Sequence, residues 1–176
     1  MNITLIKAHG TDISLEHFRK VYFEAFPADE RRPWDDMTDK IHNGHDMFSA
    51  YMIMDGDTSV GFITAWQFPE VAYIEHFAID RAYRQHGLGA LAIDRFLSLT
   101  STPVVLEVEL PDSGPMARRR IDFYRRHGFT AQPRFEYIQP PYTDELQEVP
   151  MMLMTRGDID LDKARHLLHH FVYEAI

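Results

Sequence analysis

Leu15, Phe18, Val21, Tyr22 and Ala25 recur at the spacing of one helix face, with polar residues between them. This predicts an amphipathic helix, with Ser14 as N-cap, Glu16 and His17 in its first turn, and Phe26-Pro27 at its end. Ahead of it, residues 3–6 read as a short strand. Behind it, residues 29–32 form a charged turn and 33–41 a second, short helix. Residues 47–54 and 59–68 predict two strands, and Asp55-Gly56-Asp57-Thr58 between them is a hairpin signal. Residues 72–79 and 103–110 read as further strands. Between them lies a helix over 87–99, whose apolar positions are Leu88, Leu91, Ala92, Phe96 and Leu99. A strand, a helix and a strand in that order imply a crossover with parallel flanking strands. A helix over 114–127 follows, closed by Gly128. Residues 129–137 and 150–154 read as the last two strands, and 159–176 as a tail helix. The tail's stripe is Leu161, Ala164, Leu168, Phe171, Val172 and Ala175, which docks on the chain's own core or on another subunit, the former being the simpler reading.

Composition narrows the class. A chain of 176 residues fits one domain and buries a full core without metal or disulfide help. Cysteine is absent, which excludes a disulfide scaffold, a cysteine nucleophile and a thiolate metal site, and fits a reducing cytoplasm. No basic region precedes a long apolar run at the N-terminus, and no stretch approaches bilayer length, so a cytoplasmic protein without a membrane partner is expected. A net charge of −9 argues against a nucleic-acid partner and is compatible with a cationic amine substrate.

The segment that bears most on chemistry is 77–90, Phe-Ala-Ile-Asp-Arg-Ala-Tyr-Arg-Gln-His-Gly-Leu-Gly-Ala. A strand ends there, a short turn follows, and a helix opens with Gly87 and Gly89. A helix start presents unpaired N–H groups and the positive end of the dipole, both suited to a phosphate or pyrophosphate. The two glycines let such a group approach the backbone, and Arg81 and Arg84 add charge. The ending of a Walker A loop and the dinucleotide fingerprint are both missing. The other reading is a glycine-rich turn with surface arginines.

Other candidates are weaker. His166 and His170 stand four apart beside His169, but with no third ligand nearby in sequence they read as a solvated helix face. Asp158, Asp160 and Asp162 lack the glycine and terminal glutamate of a calcium loop, so no metal is expected. Arg31 and Arg32 suit an acidic acceptor group or, more simply, a salt bridge. Met151, Met152 and Met154 read as strand packing. Glu75 stands out on an otherwise apolar strand, where alternation puts Tyr73, Glu75 and Phe77 on one face. A carboxylate so placed has a raised pKa and suits a general base; the alternative is a core partner for an arginine. Glu107, Glu109 and water compete for the base role.

Arg84-Gln85-His86-Gly87-Leu88-Gly89 resembles the Arg/Gln-x-x-Gly-x-Gly/Ala loop of the GNAT acyltransferase superfamily. Residues 73–79 look like that family's fourth strand and 103–110 like its fifth. Residues 119–129, which contain Phe123-Tyr124 and then Gly128-Phe129, resemble its closing motif. Phe26-Pro27, residues 30–33 and residues 139–142 are similar to segments of bacterial members. The likeness spans about residues 1–155. One departure is that many members carry an Asn after the fifth strand, where this chain reads Pro111-Asp112-Ser113-Gly114, with Asp112 or Ser113 placed to cap the next helix.

The resemblance implies an α/β fold. Its GNAT domain covers 1–156, with a mixed, mostly antiparallel central sheet of six to seven strands and helices on both faces, and a C-terminal helix spans 157–176. It implies acetyl-CoA as co-substrate, no metal, and direct acetyl transfer to a primary amine of a small molecule or peptide, with a homodimer as one arrangement. In this family the fourth and fifth strands splay and pantetheine bonds the fourth strand's backbone, which maps to Phe77, Ala78 and Ile79. The pyrophosphate maps to Arg84, Gln85, His86, Gly87, Leu88, Gly89 and the following amide of Ala90. Tyr124 matches the acid that protonates the leaving thiolate, its other reading being a core aromatic, and the Phe77 N–H matches the oxyanion donor. A non-catalytic acyl-CoA-binding module on the same fold is the competing class.

Overall fold

The computed structural model describes residues 1–175. The chain runs β1 (Ile3–Ala8), α1 (Glu16–Ala25), α2 (Trp34–Asn43), β2 (Phe48–Asp55), β3 (Thr58–Gln67), β4 (Ala72–Ile79) and α3 (Leu88–Leu99). It continues with β5 (Val104–Glu109), α4 (Pro115–Arg126), β6 (Thr130–Ala131), β7 (Tyr137–Gln139), β8 (Val149–Arg156) and α5 (Leu161–Leu167). This is an α/β fold with a mixed sheet of eight strands. Its contacts divide into two compact units. The first holds Met1–Pro27, Arg31–Gln67 and Ile74–Ser101; the second holds Ala28–Glu30, Phe68–Tyr73 and the chain from Thr102 onward.

In the first unit β1, β2, β3 and β4 are neighbours in that order. β1 pairs antiparallel with β2, Ile3 opposite Asp55 and Ala8 opposite Ala50. The hairpin expected at 55–58 is present: Asp55 opposes Thr58, and Gly56 takes φ +59° in the two-residue loop. α1 lies on β3, α2 on β2 and α3 on β1. The α1 face is aromatic; Phe18 stacks on Phe62 of β3 at 4.2 Å between ring centroids. Ser14 is not its cap. Leu15 occupies the cap position, is buried, and makes no side-chain cap bond; its carbonyl takes the Arg19 amide instead. α3 buries Leu88, Ala92, Ile93, Phe96 and Leu97, whereas Leu91 and Leu99 of the expected stripe are exposed. Positions 88, 92 and 96 do stack as read, but the face widens toward 93 and 97 rather than 91 and 99.

In the second unit β8 is the hub. β5, β6 and β7 all pair with it antiparallel, and β5 runs from Val104 opposite Arg156 to Glu109 opposite Met151. The single strand expected over 129–137 is two, β6 and β7. Pro133 falls between them, cannot donate to a ladder, and a turn closes there through the Phe135 amide on the Gln132 carbonyl. That break takes the strand count to eight. β8 also runs beyond the expected 150–154, because β5 keeps pairing to Arg156.

α4 ends where Gly128 predicted. Gly128 takes φ +86° and bonds the Arg125 carbonyl, and the Phe129 amide reaches the Tyr124 carbonyl, the paired bonds of a Schellman cap. At its other end neither Asp112 nor Ser113 makes a cap bond. Gly114 stands at the cap and Pro115, lacking an N–H, opens the helix. The tail is shorter than a helix to 176. α5 is capped by Asp160 through the Lys163 amide at 3.0 Å, turns π-helical over Leu168–Val172, and ends there. Ala175 lies beyond the helix and Ile176 outside the described residues. Among the described residues, no helix is long and apolar enough to cross a membrane.

Candidate active site

β4 delivers the chain into an exposed turn. Ala78, Ile79 and Asp80 are buried, whereas Arg84, Gln85, His86 and Gly87 are exposed, and Leu88 turns inward to open α3. The turn requires left-handed backbone twice, at Gln85 with φ +67° and at Gly87 with φ +76°. Gly87 is therefore a conformational requirement as well as an open one; a Cβ there would meet no atom within 4 Å. Gly87 is the cap of α3 and its carbonyl takes the Leu91 amide. The amides of Leu88, Gly89 and Ala90 in the first turn have no partner within the helix. Arg84 folds back, its Nε donating to the Ile79 carbonyl at 2.9 Å. Residues 84–90 thus form a donor-rich, sterically open cradle with the geometry of an anion site.

Glu75 is enclosed on the same strand. Its side chain is 0% exposed; Oε1 accepts from Arg32 at 2.8 and 3.1 Å, and Oε2 accepts from Trp66 Nε1 at 2.9 Å. Arg32 in turn reaches Asp36. Burial alone would raise the Glu75 pKa, but Arg32, His76 and the Trp66 N–H hold it below the usual carboxylate range. The raised value expected from the apolar strand is corrected by these partners, of which Arg32 is too distant in sequence to be paired by inspection. Arg31 is spent on the carbonyls of Phe23 and Phe26 and on the Phe23 ring.

Tyr124 lies on the buried face of α4 between Phe123 and Phe129, at 5.3 and 5.5 Å between centroids. Burial pushes its phenol up to about 12, with Arg120 opposing. The proton therefore stays on at neutral pH. Of the competing carboxylates on β5, Glu107 accepts from the hydroxyls of Tyr73 and Tyr173 at 2.5 and 2.7 Å, and Glu109 stands 3.8 Å from Arg120.

Sequence reasoning missed two carboxylates. Glu30, read as part of a charged turn, is 8% exposed, and burial with Glu109 and Asp29 beside it pushes its pKa up to about 7 against the pull of Arg120. Its turn is held in by Asp29, whose carbonyl takes the Gln139 amide nitrogen and whose carboxylate takes the Gln147 N–H. No local pattern announces these partners. Asp80 is the second; it directly follows β4 and is buried against α1. A polar residue closing an apolar strand just before the turn was a visible signal. His166 and His170 stack with centroids 5.8 Å apart, and no cluster of metal-ligating residues occurs among the described residues.

The profile of the acetyltransferase (GNAT) family matches residues 15–129. A protein from Bacteroides thetaiotaomicron assigned to the GNAT family of acetyltransferases is 35% identical. The match covers 100% of both chains, with a TM-score of 0.87. A GNAT family acetyltransferase from Elizabethkingia anophelis, solved with acetyl-CoA bound, shares the fold at 14% identity and a TM-score of 0.62, covering 89% of this chain and 99% of its own. Naa50 from Arabidopsis thaliana, solved with the bisubstrate analogue CoA-Ac-MVNAL, does so at 17% and 0.63, covering 90% and 100%. None of the curated proteins matches the chain.

Proposed function

The chain belongs to the GNAT acetyltransferase family, and on that premise we propose that it transfers an acetyl group from acetyl-CoA to a primary amine of a small molecule or peptide. The observation that carries the reading is the 84–90 cradle, with its left-handed Gly87 and the free first-turn amides of α3, in the position where the family binds a pyrophosphate. Pantetheine then lies along the backbone of Phe77, Ala78 and Ile79 in the manner of an added strand.

The chemistry balances without a metal. The amine nitrogen attacks the thioester carbonyl, and the oxyanion accepts the Phe77 N–H. The C–S bond then breaks and the thiolate leaves, while the nitrogen gives up a proton to a base. Tyr124 is the proposed donor to sulfur. With its proton held to about 12, against about 8.5 for an ordinary thiol, it stabilises the thiolate chiefly as a hydrogen-bond donor. Glu75 is the proposed base, directly or through a water. It is anionic at neutral pH, and its hold on Arg32 makes it a weak one, so Glu107, Glu109 and solvent remain its competitors.

Release of free thiol from acetyl-CoA across a panel of primary amines tests the reading. Turnover with at least one amine is the expected result. Tight CoA binding with no thiol release from any amine would reject the enzyme and leave an acyl-CoA-binding module.

A further inference from the structure

A carboxylate stands at the head of the turn that leads into the 84–90 cradle proposed to bind a pyrophosphate. Asp80 lies directly between Ile79 and Arg81, and caps the 3-10 turn over Arg81–Tyr83 that delivers the chain to Arg84. Its side chain is 4% exposed and fully engaged. Oδ1 accepts the Ala82 amide at 2.9 Å, which caps the short 3-10 turn over Arg81–Tyr83. Oδ2 pairs with His17 Nε2 at 2.7 Å and accepts from Lys20 Nζ at 3.2 Å. His17 and Lys20 are one turn apart on α1 and face the same atom. His17 is oriented in turn by Ser59 Oγ on its Nδ1 at 3.0 Å. The Asp80 amide is fixed to the Val60 carbonyl, and Arg84 ties the far side of the turn to Ile79. One carboxylate oxygen is thus held by His17 and Lys20 of α1 while the other fixes the Ala82 amide of the turn.

We propose that Asp80 is the positioning residue of the anion-binding turn, and that His17 and Lys20 of α1 clamp it, Lys20 supplying the opposing charge, so that the turn receives a diphosphate. The proposal rests on the reading that this turn binds the pyrophosphate of CoA. A turn released from Asp80 must be ordered by the ligand at a cost in affinity, and a carboxylate released from Lys20 acts on the ligand as unscreened charge.

Calorimetry with CoA and with ADP, on the parent, Asp80→Asn, Asp80→Ala and Lys20→Met, tests the clamp, together with turnover of acetyl-CoA and of S-acetyl-pantetheine, which lacks the diphosphate. Asp80→Ala should weaken CoA and ADP by about tenfold or more, the loss expected for a charge-assisted bond. Its kcat/KM should fall more for acetyl-CoA than for S-acetyl-pantetheine. Asp80→Asn keeps an oxygen for the Ala82 amide and should lose less. Lys20→Met should weaken CoA at low salt and recover as salt rises. If Asp80→Ala does not fold, Asp80→Asn and Lys20→Met carry the test. Parent-like affinity for CoA and ADP in the folded variants, or an equal loss with both thioesters, overturns the proposal. A parent that binds no CoA overturns the functional reading itself, an outcome the variants cannot mimic.

Discussion

Glu75 and Glu30 are both buried carboxylates, and their surroundings push them in opposite directions. Glu75 is lowered by Arg32 and its other partners, so its contribution to stability is present above about pH 4.5 and is lost as pH falls through its folded value. Glu75→Gln leaves Arg32 facing an uncharged amide and should cost about 3–5 kcal/mol in chemical denaturation at pH 7. If Glu75 is also the base, the acidic limb of the pH–rate profile lies below pH 4.5 and disappears in this variant; a limb at higher pH that survives the change moves the base elsewhere. Glu30 is raised to about 7, so its stabilising contribution is full below about pH 4.5 and gone above its folded value. Glu30→Gln should therefore match the parent at pH 4 and exceed its stability at pH 8, by on the order of 1–3 kcal/mol. Denaturant midpoints at the two pH values check the sign. Tyr124→Phe keeps the ring between Phe123 and Phe129, so it should lower kcat with the acetyl-CoA KM little changed. An unchanged kcat would make Tyr124 a packing residue.

At the scale of elements, periodicity located most helices and strands, because 3.6- and 2-residue repeats are local properties of the chain. It located β4 to the residue and α4 with its Gly128 cap. It failed where tertiary partners decide. Leu15 displaced Ser14 at the start of α1, β5 extended β8, and the tail changed helix type at Leu168. The glycine-led opening of α3 was legible because its glycines are local; the partners of Glu75, Glu30 and Asp80 were not, because Arg32, Glu109 and His17 come from other elements. One glycine carried no signal at all. A Cβ on Gly61 in β3 would lie 2.2 Å from the Ala78 carbonyl oxygen, so β4 approaches β3 at a point where only glycine fits. Gly61→Ala should cost about 2–4 kcal/mol by thermal denaturation, and should weaken CoA because the backbone it displaces is the proposed pantetheine ledge.

At the scale of the molecule, Phe171 and Tyr173 reach back to the sheet. The hydroxyls of Tyr173, beyond α5, and of Tyr73 share the Glu107 carboxylate, and Phe171 packs on Phe68. Tyr173→Phe should cost about 1.5–3 kcal/mol in denaturation, the worth of a hydrogen bond to a charged group. Parent-like stability would show that the tail holds through its apolar face alone, through Leu168 and Val172.

β8 has a consequence for how the protein is made. β6 and β7 pair with it alone, and β5 pairs with it along its whole length. While a ribosome works at about 5–20 residues per second, β5 emerges well before β8, and its hydrogen-bonding groups on that side stay open until Arg156 has cleared the exit tunnel. An exposed row of that kind invites pairing with another nascent chain. The protein is therefore vulnerable to aggregation in the interval between the synthesis of β5 and of β8, and slow decoding between β7 and β8 should lower its soluble yield more than the same delay between β2 and β3.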